Sequence, residues 1–438
     1  MVQFFKESKS TPKAQPTLEV TIADVNSQGL GVTLYQKKPL FVLGALKGER
    51  VRVRVTVQNN KYQRAQLISV LRPAPERVTP FCPYTAQCGG CSLQHMPMAE
   101  QRDLKQRTVT QLFARHGFDE LPHIEWLYNE QHQGYRRVAR LAIRRHKKGV
   151  ALGFRQAQSH ELVEIEHCGV LLPRLSALIS PLRKLLNQLT GVKQLGHVEL
   201  YESSQGLALL LRHMATLSAA DLDRLLSFAQ TKKLALFLQD DKSRRPLHVP
   251  FPLYYQLDEL KLSFTPGDFI QINGTLNEQM VKQAQQWLAA APAEPVLDLF
   301  CGVGNFSLPL ASSGHPVVGV EGVMDMVEQA RGNAEDNDLW QAQFYRADLA
   351  ADFTHAPWVQ QGFGHVLLDP GRAGAAEVLP YLRQLAPQRI LYVSCNPVTL
   401  ADDGQFLVEN GYRLSRLGLI DMFPHTAHCE AMALFELN

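Results

Sequence analysis

The chain has 438 residues, enough for two to four domains that each bury a core. With 45% hydrophobic and 20% charged residues and no apolar run of bilayer length, it reads as a globular cytoplasmic protein. Its start, "MVQFFKESKS", lacks the apolar stretch of a secretion signal. The formal net charge of +3 is uneven: residues 1–72 hold 12 Lys and Arg against 4 Asp and Glu, and the remainder 33 against 38. A basic front end on a slightly acidic body suits a nucleic-acid grip. Seven cysteines, odd in number and widely spread, argue against a disulfide framework and leave metal binding or catalysis.

"TLEVTIADV", "KKPLFVLGAL", "ERVRVRVTV" and "RAQLISVL" are short β-rich runs, and from Val51 to Val57 apolar residues alternate with Arg52, Arg54 and Thr56. Gly29, Gly31, Gly44 and Gly48 punctuate them. Such strands, with one apolar face and one bearing arginines, fit a small OB-like β-barrel used on RNA; a merely solvated basic face is the plain alternative. "RPAPERVTP" closes the module as a proline-rich linker.

Next, "FCPYTAQCGGC" places Cys82, Cys88 and Cys91 within ten residues, with Gly89 and Gly90 letting the loop fold back. Three thiols so spaced resemble metal ligands, and Cys168 in "VEIEHCGV" is the best fourth, because Cys301, Cys395 and Cys429 lie much farther along. Spacing alone leaves zinc and an iron–sulfur cluster equally open, with His95 and His167 as nearby rival ligands. "GYRRVARLAIRRHKKG" then predicts a hairpin whose seven Lys and Arg, from Arg136 to Lys148, track a phosphate backbone or simply face water.

From about residue 269, strands and helices alternate: "PVLDLF", the glycine loop "CGVGN", helix "FSLPLASSG", strand "PVVGVE", a helix through "MVEQARGNAEDN", then "AQFYRAD", "HVLLDP", "EVLPYLRQL", "RILYVSC", "TLADDGQFLVENG" and a final β pair. The pattern predicts an α/β domain with a doubly wound, mostly parallel sheet, whose ligands bind beyond the carboxyl ends of the strands. A dinucleotide site wants G-x-G-x-x-G, yet Ser307 stands where the third glycine would follow Gly302 and Gly304. Glu321 closes the second strand, where a carboxylate can take both ribose hydroxyls, and Asp348 and Asp369 follow the third and fourth. Strand-end acids facing a ribose, a purine and an ammonium-like group suit S-adenosylmethionine better than NAD.

"FIQIN", "LDLFCGVGNFSLPLA", "GVEGV", "LLDPGRAG", "YVSCNPVTLA" and "DMFPHTAHCE" resemble, in this order, the motifs of the RNA 5-methyluridine methyltransferases. With the basic barrel and the cysteine cluster, the resemblance covers nearly the whole chain and is to the type acting on 23S ribosomal RNA, whose front barrel is called a TRAM domain. It implies a [4Fe–4S] cluster on Cys82, Cys88, Cys91 and Cys168, which decides against zinc. It implies adenosylmethionine contacts from Gln271, Phe300, Asn305, Glu321, Asp348 and Asp369.

The implied reaction is methylation of carbon 5 of one uridine of 23S ribosomal RNA, the family's uridine 1939. Carbon 5 of uracil is too weak a nucleophile to take a methyl group from a sulfonium, so a thiolate must first add at carbon 6. Cys395 is the expected nucleophile, at a strand end beside helix amides that favour thiolate, and Glu430 matches the family's base. His425 and His428 are expected to position groups or contact RNA, and Cys429 to pack. The target base must flip out of its stack to reach Cys395.

Asp402 and Gly371 depart from residues common in relatives and remove no group the chemistry needs. Two other readings stand beside the enzyme: an RNA-binding ribosome-assembly factor with a vestigial pocket, and an iron–sulfur redox enzyme. The first is disfavoured by the full set Gln271, Glu321, Asp369, Cys395 and Glu430, the second by the missing glycine. The expected domains are an OB-like barrel over 12–72, a central α+β iron–sulfur and RNA-binding domain over 80–268, and a Rossmann-like catalytic domain over 269–438. Residues 99–130 are candidates to pack with the last of these, and the chain is expected to act as a monomer, away from membranes.

Overall fold

The computed structural model describes residues 17–147, 149–157, 159–289 and 293–438; the expected barrel start at 12–16 and Lys148 of the basic hairpin lie outside the described residues. The chain divides into two compact units. Of the described residues, the first holds those from Thr17 to Phe81 with Cys91–Leu104 and His425–Ala427; the second holds those within Cys82–Gly90, Lys105–Pro424 and His428–Asn438. Among the described residues, no helix is long and apolar enough to cross a membrane.

In the first unit, β1 (Thr17–Thr21), β2 (Asp24–Val25), β3 (Leu30–Tyr35), β4 (Lys38–Leu43), β5 (Arg50–Gln58) and β6 (Gln63–Arg72) form one sheet in the order β1-β5-β6-β4-β3-β2. Strand periodicity drives it: Val51, Val53 and Val55 point inward beside Ile22, Leu40, Val42 and Ala65, while Arg50, Arg52 and Arg54 stay exposed. Register shifts between β5 and β6 bend the sheet over this core. In the same unit His425 is buried at φ 67°, its carbonyl accepting the N–H groups of Ser92 and Leu93 at 2.9 Å each and its own N–H bound to Gln101 Oε1 at 2.8 Å. It is an internal brace, with its ring edge-on to Phe81.

The second unit takes in the Lys105–Arg115 part of α1 (Met98–Arg115), then β7 (Ile124–Leu127). A seven-stranded sheet follows, built from β8 (Val138–His146), β9 (Gly149–Arg155), β10 (Leu162–Glu164), β11 (Leu195–Glu202), β12 (Leu207–His213), β13 (Ala235–Gln239) and β14 (Arg244–His248). Helices α2 (Pro173–Ser176), α3 (Ile179–Gln188) and α4 (Ala219–Lys232) belong to this part of the chain, and Leu182, Leu186 and Leu225 meet Leu141, Leu152 and Leu209 in a leucine-rich core. The basic hairpin is β8–β9, with Arg140, Arg144 and Arg145 exposed. Arg137, counted with that basic face, is instead buried, its guanidinium 4.4 Å from the centre of the Tyr255 ring. A small hairpin, β15 (Tyr254–Leu257) and β16 (Leu260–Ser263), carries that tyrosine.

The remaining elements are α5 (Gly274–Leu288), β17 (Val296–Leu299), α6 (Ser307–Ser312), β18 (Val317–Glu321), α7 (Met324–Asp336), β19 (Ala342–Arg346), β20 (His365–Leu368), α8 (Leu379–Leu385), β21 (Arg389–Ser394), α9 (Pro397–Glu409), β22 (Tyr412–Ile420) and β23 (Glu430–Leu437). Their sheet runs β19-β18-β17-β20-β21-β23-β22-β7, with β23 antiparallel to both neighbours and β7 parallel to β22. Alternate residues feed two cores, as a sheet covered on both faces requires. Val296, Val317, Leu367 and Leu391 pack on the side of α5, α6 and α7, whereas Leu297, Val318, Val366 and Tyr392 pack with Val109, Phe113, Leu382 and Leu400. Strand order reverses between β17 and β20, which opens a crevice at their carboxyl ends.

Candidate active site

The glycine loop leaves β17 through Phe300, held at φ 66°, then Gly302 at φ 57° and Gly304 at φ 94°. An aromatic residue in the left-handed region is uncommon, and the loop keeps it there because the Phe300 and Cys301 N–H groups bind Val320 O at 2.9 and 3.2 Å. Glu321, at the end of β18, spreads its carboxylate over the Gly302 and Val323 N–H groups at 3.3 and 3.0 Å. Asn305 pairs reciprocally with Asn277 of α5 at 2.8 and 2.9 Å and takes the Tyr255 hydroxyl at 3.0 Å. Its amide therefore braces the loop against α5 and the β15–β16 hairpin.

Ser307 explains the departure from a dinucleotide loop. Its buried hydroxyl donates to Asp298 Oδ2 at 2.5 Å, and the other Asp298 oxygen has no protein partner. Burial, with the charges of Asp369 and Glu321 nearby, pushes the Asp298 carboxyl up to about 7. Sequence reading passed over Asp298, although an acid inside an otherwise apolar strand is itself a signal, since a buried carboxylate needs a purpose.

On the other side of the crevice, Asp369 follows β20 and its N–H reaches Leu299 O at 3.4 Å. Cys395 follows β21, and the antiparallel ladder pairs Ser394 with Ala431, so the next step sets Cys395 opposite Glu430 at the start of β23. Glu430 is 5% exposed, with Oε2 unpartnered. Burial pushes its carboxyl up to about 7, and burial with the charge of Glu430 pushes Asp369 up to about 8. Asn396 caps α9, which begins at Pro397 rather than near Thr399, and its amide donates to Arg372 O at 2.9 Å.

The expectation that Cys395 sits where thiolate is favoured is corrected. Burial, then the charges of Glu430 and Asp369, raise its thiol above the ordinary value, against the smaller opposing pull of Arg372 and its own backbone N–H. One helix end and one guanidinium do not outweigh burial and two acids. Arg372, in the loop after Asp369, was not singled out from sequence because its relation to the thiol depends on distance in space. Cys429 is buried with its thiol pushed up to about 12, as a packing residue should be.

The other expected site residues scatter more. Gln271 is buried, its carbonyl accepting Arg137 Nε at 2.7 Å just before α5. Asp348 is exposed two residues beyond β19 and accepts the Ala350 N–H at 3.1 Å. Asp402, which departs from the residue common in relatives, pairs with His116 Nε2 at 2.7 Å.

Cys82, Cys88 and Cys168 belong to the second unit and Cys91 to the first. Burial raises the Cys88 and Cys168 thiols, with smaller contributions from neighbouring cysteine charges, Cys168 and Cys82 on the former and Cys82 on the latter. Gly89 lets the loop approach β9: its N–H binds Arg155 O at 2.9 Å, and a Cβ would stand 3.0 Å from that oxygen. Among the described residues, no three His, Cys, Asp or Glu side chains converge so as to hold one metal ion.

A glycine loop after the first strand, acids at successive strand ends and an antiparallel seventh strand define a Rossmann-like methyltransferase domain. The fold agrees with a solved Pyrococcus abyssi tRNA (uracil-54, C5)-methyltransferase in complex with S-adenosyl-L-homocysteine, at TM-score 0.74 and 24% identity over 95% of this chain and 100% of that one. Residues 100–437 match the family described as tRNA (Uracil-5-)-methyltransferase, to which the chain belongs, and residues 16–68 match the TRAM domain. It is 48% identical, over the full length of both chains, to an Aeromonas hydrophila protein named 23S rRNA (uracil(1939)-C(5))-methyltransferase RlmD. Proteins of that name from Tolumonas auensis (48% identical, full length of both) and Vibrio cholerae (45%, 99% of each) are similarly close.

Proposed function

We propose that this protein transfers a methyl group from S-adenosylmethionine to carbon 5 of a uridine in 23S ribosomal RNA, the position numbered 1939 in its relatives' names. The observation that carries the reading is the crevice of acids. Asp298, Glu321, Asp369 and Glu430 crowd one site, three with raised carboxyls and two with orphaned buried oxygens, in want of a cation. A sulfonium with an ammonium group supplies that charge, and adenosylmethionine supplies the methyl group as an electrophile. Glu321 takes the ribose, while Phe300 and Asn305 shape the loop that receives the nucleoside; Gln271 and Asp348 are assigned to the same ligand by their motif positions.

Cys395 acts on the uracil. Its thiol loses a proton to solvent and the sulfur adds to carbon 6, which places electron density on carbon 5 as an enolate; carbon 5 then takes the methyl group, and the sulfonium leaves as the neutral thioether S-adenosylhomocysteine. Glu430, opposite Cys395 across the ladder, removes the carbon 5 proton, and the carbon–sulfur bond breaks to restore uracil and thiolate. Fluorine at carbon 5 blocks that last step. Ribosomal RNA fragments bearing 5-fluorouridine and adenosylmethionine should therefore leave a covalent adduct that Cys395→Ala abolishes; an adduct persisting in Cys395→Ala would move the nucleophile elsewhere.

Cys82, Cys88, Cys91 and Cys168 are assigned to a [4Fe–4S] cluster. The assignment is supported by cysteine spacing, by the close approach at Gly89 and by the charge effects of Cys82 and Cys168 on Cys88 and of Cys82 on Cys168. Four irons in a cube separate their thiolates more widely than one ion does, so the lack of a single-ion site is no obstacle. The reaction moves no electrons, which leaves the cluster the task of shaping the RNA-binding region. Anaerobically purified protein should contain four irons and four sulfides, and chelation should weaken RNA binding while leaving adenosylmethionine binding intact; unchanged RNA affinity after iron loss would remove the structural role.

A further inference from the structure

Beneath the return from β22 to β23 lies a buried ion pair that the reaction described above does not use. Lys105 of α1 is fully buried, and Asp421, the residue after β22, is 2% exposed. Lys105 Nζ stands 2.5 Å from Asp421 Oδ1 and donates to Phe423 O at 3.2 Å. The Asp421 N–H is held in turn by Leu127 O of β7 at 2.9 Å. One ammonium thus fastens two of the first three residues of the return to α1, while β7 fastens the backbone of the first.

The position gives the pair its meaning. Ile420 and Glu430 form the last rung of the β22–β23 ladder, so Asp421 lies one residue beyond the cross-strand partner of the proposed base. Terminal rungs open most readily, and Glu430 has an oxygen with no protein partner to hold it. Stability alone is a poor reason for such a pair, because burying two charges costs about what their attraction returns, and apolar replacements are commonly neutral or better. The ammonium's charge also reaches the groups beside Glu430, where burial remains the larger influence: burial and then Arg372 and Lys105 lower the His428 equilibrium, and at Cys429 Lys105 only partly offsets the burial that raises the thiol.

We propose that Lys105 is a positioning residue for the elimination step: through Asp421 and Phe423 it closes the last rung and so aims the Glu430 carboxylate at the carbon 5 proton. The inference rests on the assignment of Glu430 as base. A mis-aimed base slows proton removal but not thiolate addition or methyl transfer. Loss of the pin therefore makes methylated, still covalent protein–RNA complex accumulate on ordinary uridine RNA.

The test is rapid quenching of full-length protein, unmodified 23S ribosomal RNA fragment and methyl-labelled adenosylmethionine, comparing wild type, Glu430→Gln, Lys105→Met and Lys105→Met with Asp421→Leu. The double variant removes the pin without leaving a lone buried charge, so it decides the question where Lys105→Met folds poorly. The expected result is turnover down about tenfold or more, first-turnover methyl transfer within about twofold of wild type, unchanged adenosylmethionine affinity and labelled adduct in both Lys105 variants as in Glu430→Gln. Adduct in Glu430→Gln but not in the Lys105 variants overturns the positioning role alone. No adduct in Glu430→Gln removes Glu430 as the base, and the inference goes with it.

Discussion

Asp298, Asp369 and Glu430 hold carboxyls raised to about 7, 8 and 7, so near neutral pH they retain protons that isolated acids would have lost. A cationic ligand favours the ionised form. Binding therefore expels protons, and affinity should rise with pH between about 6 and 8, by up to about tenfold per unit for each proton released. Calorimetry of adenosylmethionine binding in buffers of different ionisation enthalpy measures that release. Asp298→Asn should bind more weakly and release fewer protons than wild type, a comparison in which the ligand's own amino group cancels; equal release would exclude Asp298 from the linkage. The placement of Cys395 at a strand end and of Glu430 at the entry to the last strand was legible, because both occur within an ordered set of motifs; their roles are those proposed above. Arg372 and Lys105 were not legible, because their roles arise from neighbours 23 and 316 residues away in the chain, Cys395 and Asp421, whereas Asp298 carried a signal as an acid within an apolar strand.

Elements with local causes were equally readable. Alternating valines and arginines predicted β5, and the parallel β-α pattern after residue 269 predicted the doubly wound sheet. The run "TLADDGQFLVENG" places the start of α9 two residues late, at Thr399, whereas proline is well suited to the first turn of a helix behind an asparagine cap. That cap has a second task, since Asn396 also holds the Arg372 carbonyl and so couples the Cys395 loop to the Asp369 loop. Asn396→Ala should cost about 1 kcal/mol in thermal unfolding, as lost caps do, and should also slow adduct formation with 5-fluorouridine RNA. A reference variant matched in melting temperature, changed elsewhere on α9, should show no such kinetic loss; if it does, the coupling between the loops is not specific. Packing of residues 99–130 with the catalytic domain was expected, but the pairing of β7 with β22 was not, because a four-residue strand carries almost no register information by itself.

At the scale of the whole molecule, the front-end charge is less available than composition suggests. Glu19 binds Arg52 at 2.8 Å and Arg50 at 2.9 Å, and those bonds hold its carboxyl below the ordinary value. Among the described residues Arg54, on the same face, has no such ion pair. Glu19→Gln should release two guanidinium groups to phosphate, tightening RNA binding at low salt and steepening its logarithmic dependence on salt by about 0.7 to 0.9 for each new phosphate contact. Arg54→Gln should do the opposite. Unchanged slopes in both variants would take the arginine face of β5 out of the RNA interface.

The edge position of β7 also has a history in time. Ile124 pairs with Leu417, about 290 residues later in the chain. At ribosomal synthesis rates of roughly 5 to 20 residues per second, β7 waits on the order of 15 to 60 seconds before its partner strand exists. Collapse of short chain segments is thousands of times faster than that. During the interval the leader of the catalytic sheet is an unpaired edge, and Lys105, just ahead of it, is a cation without its acid. The segment that finally pins the proposed base is therefore among the first parts of the second unit to be made and among the last to find its place.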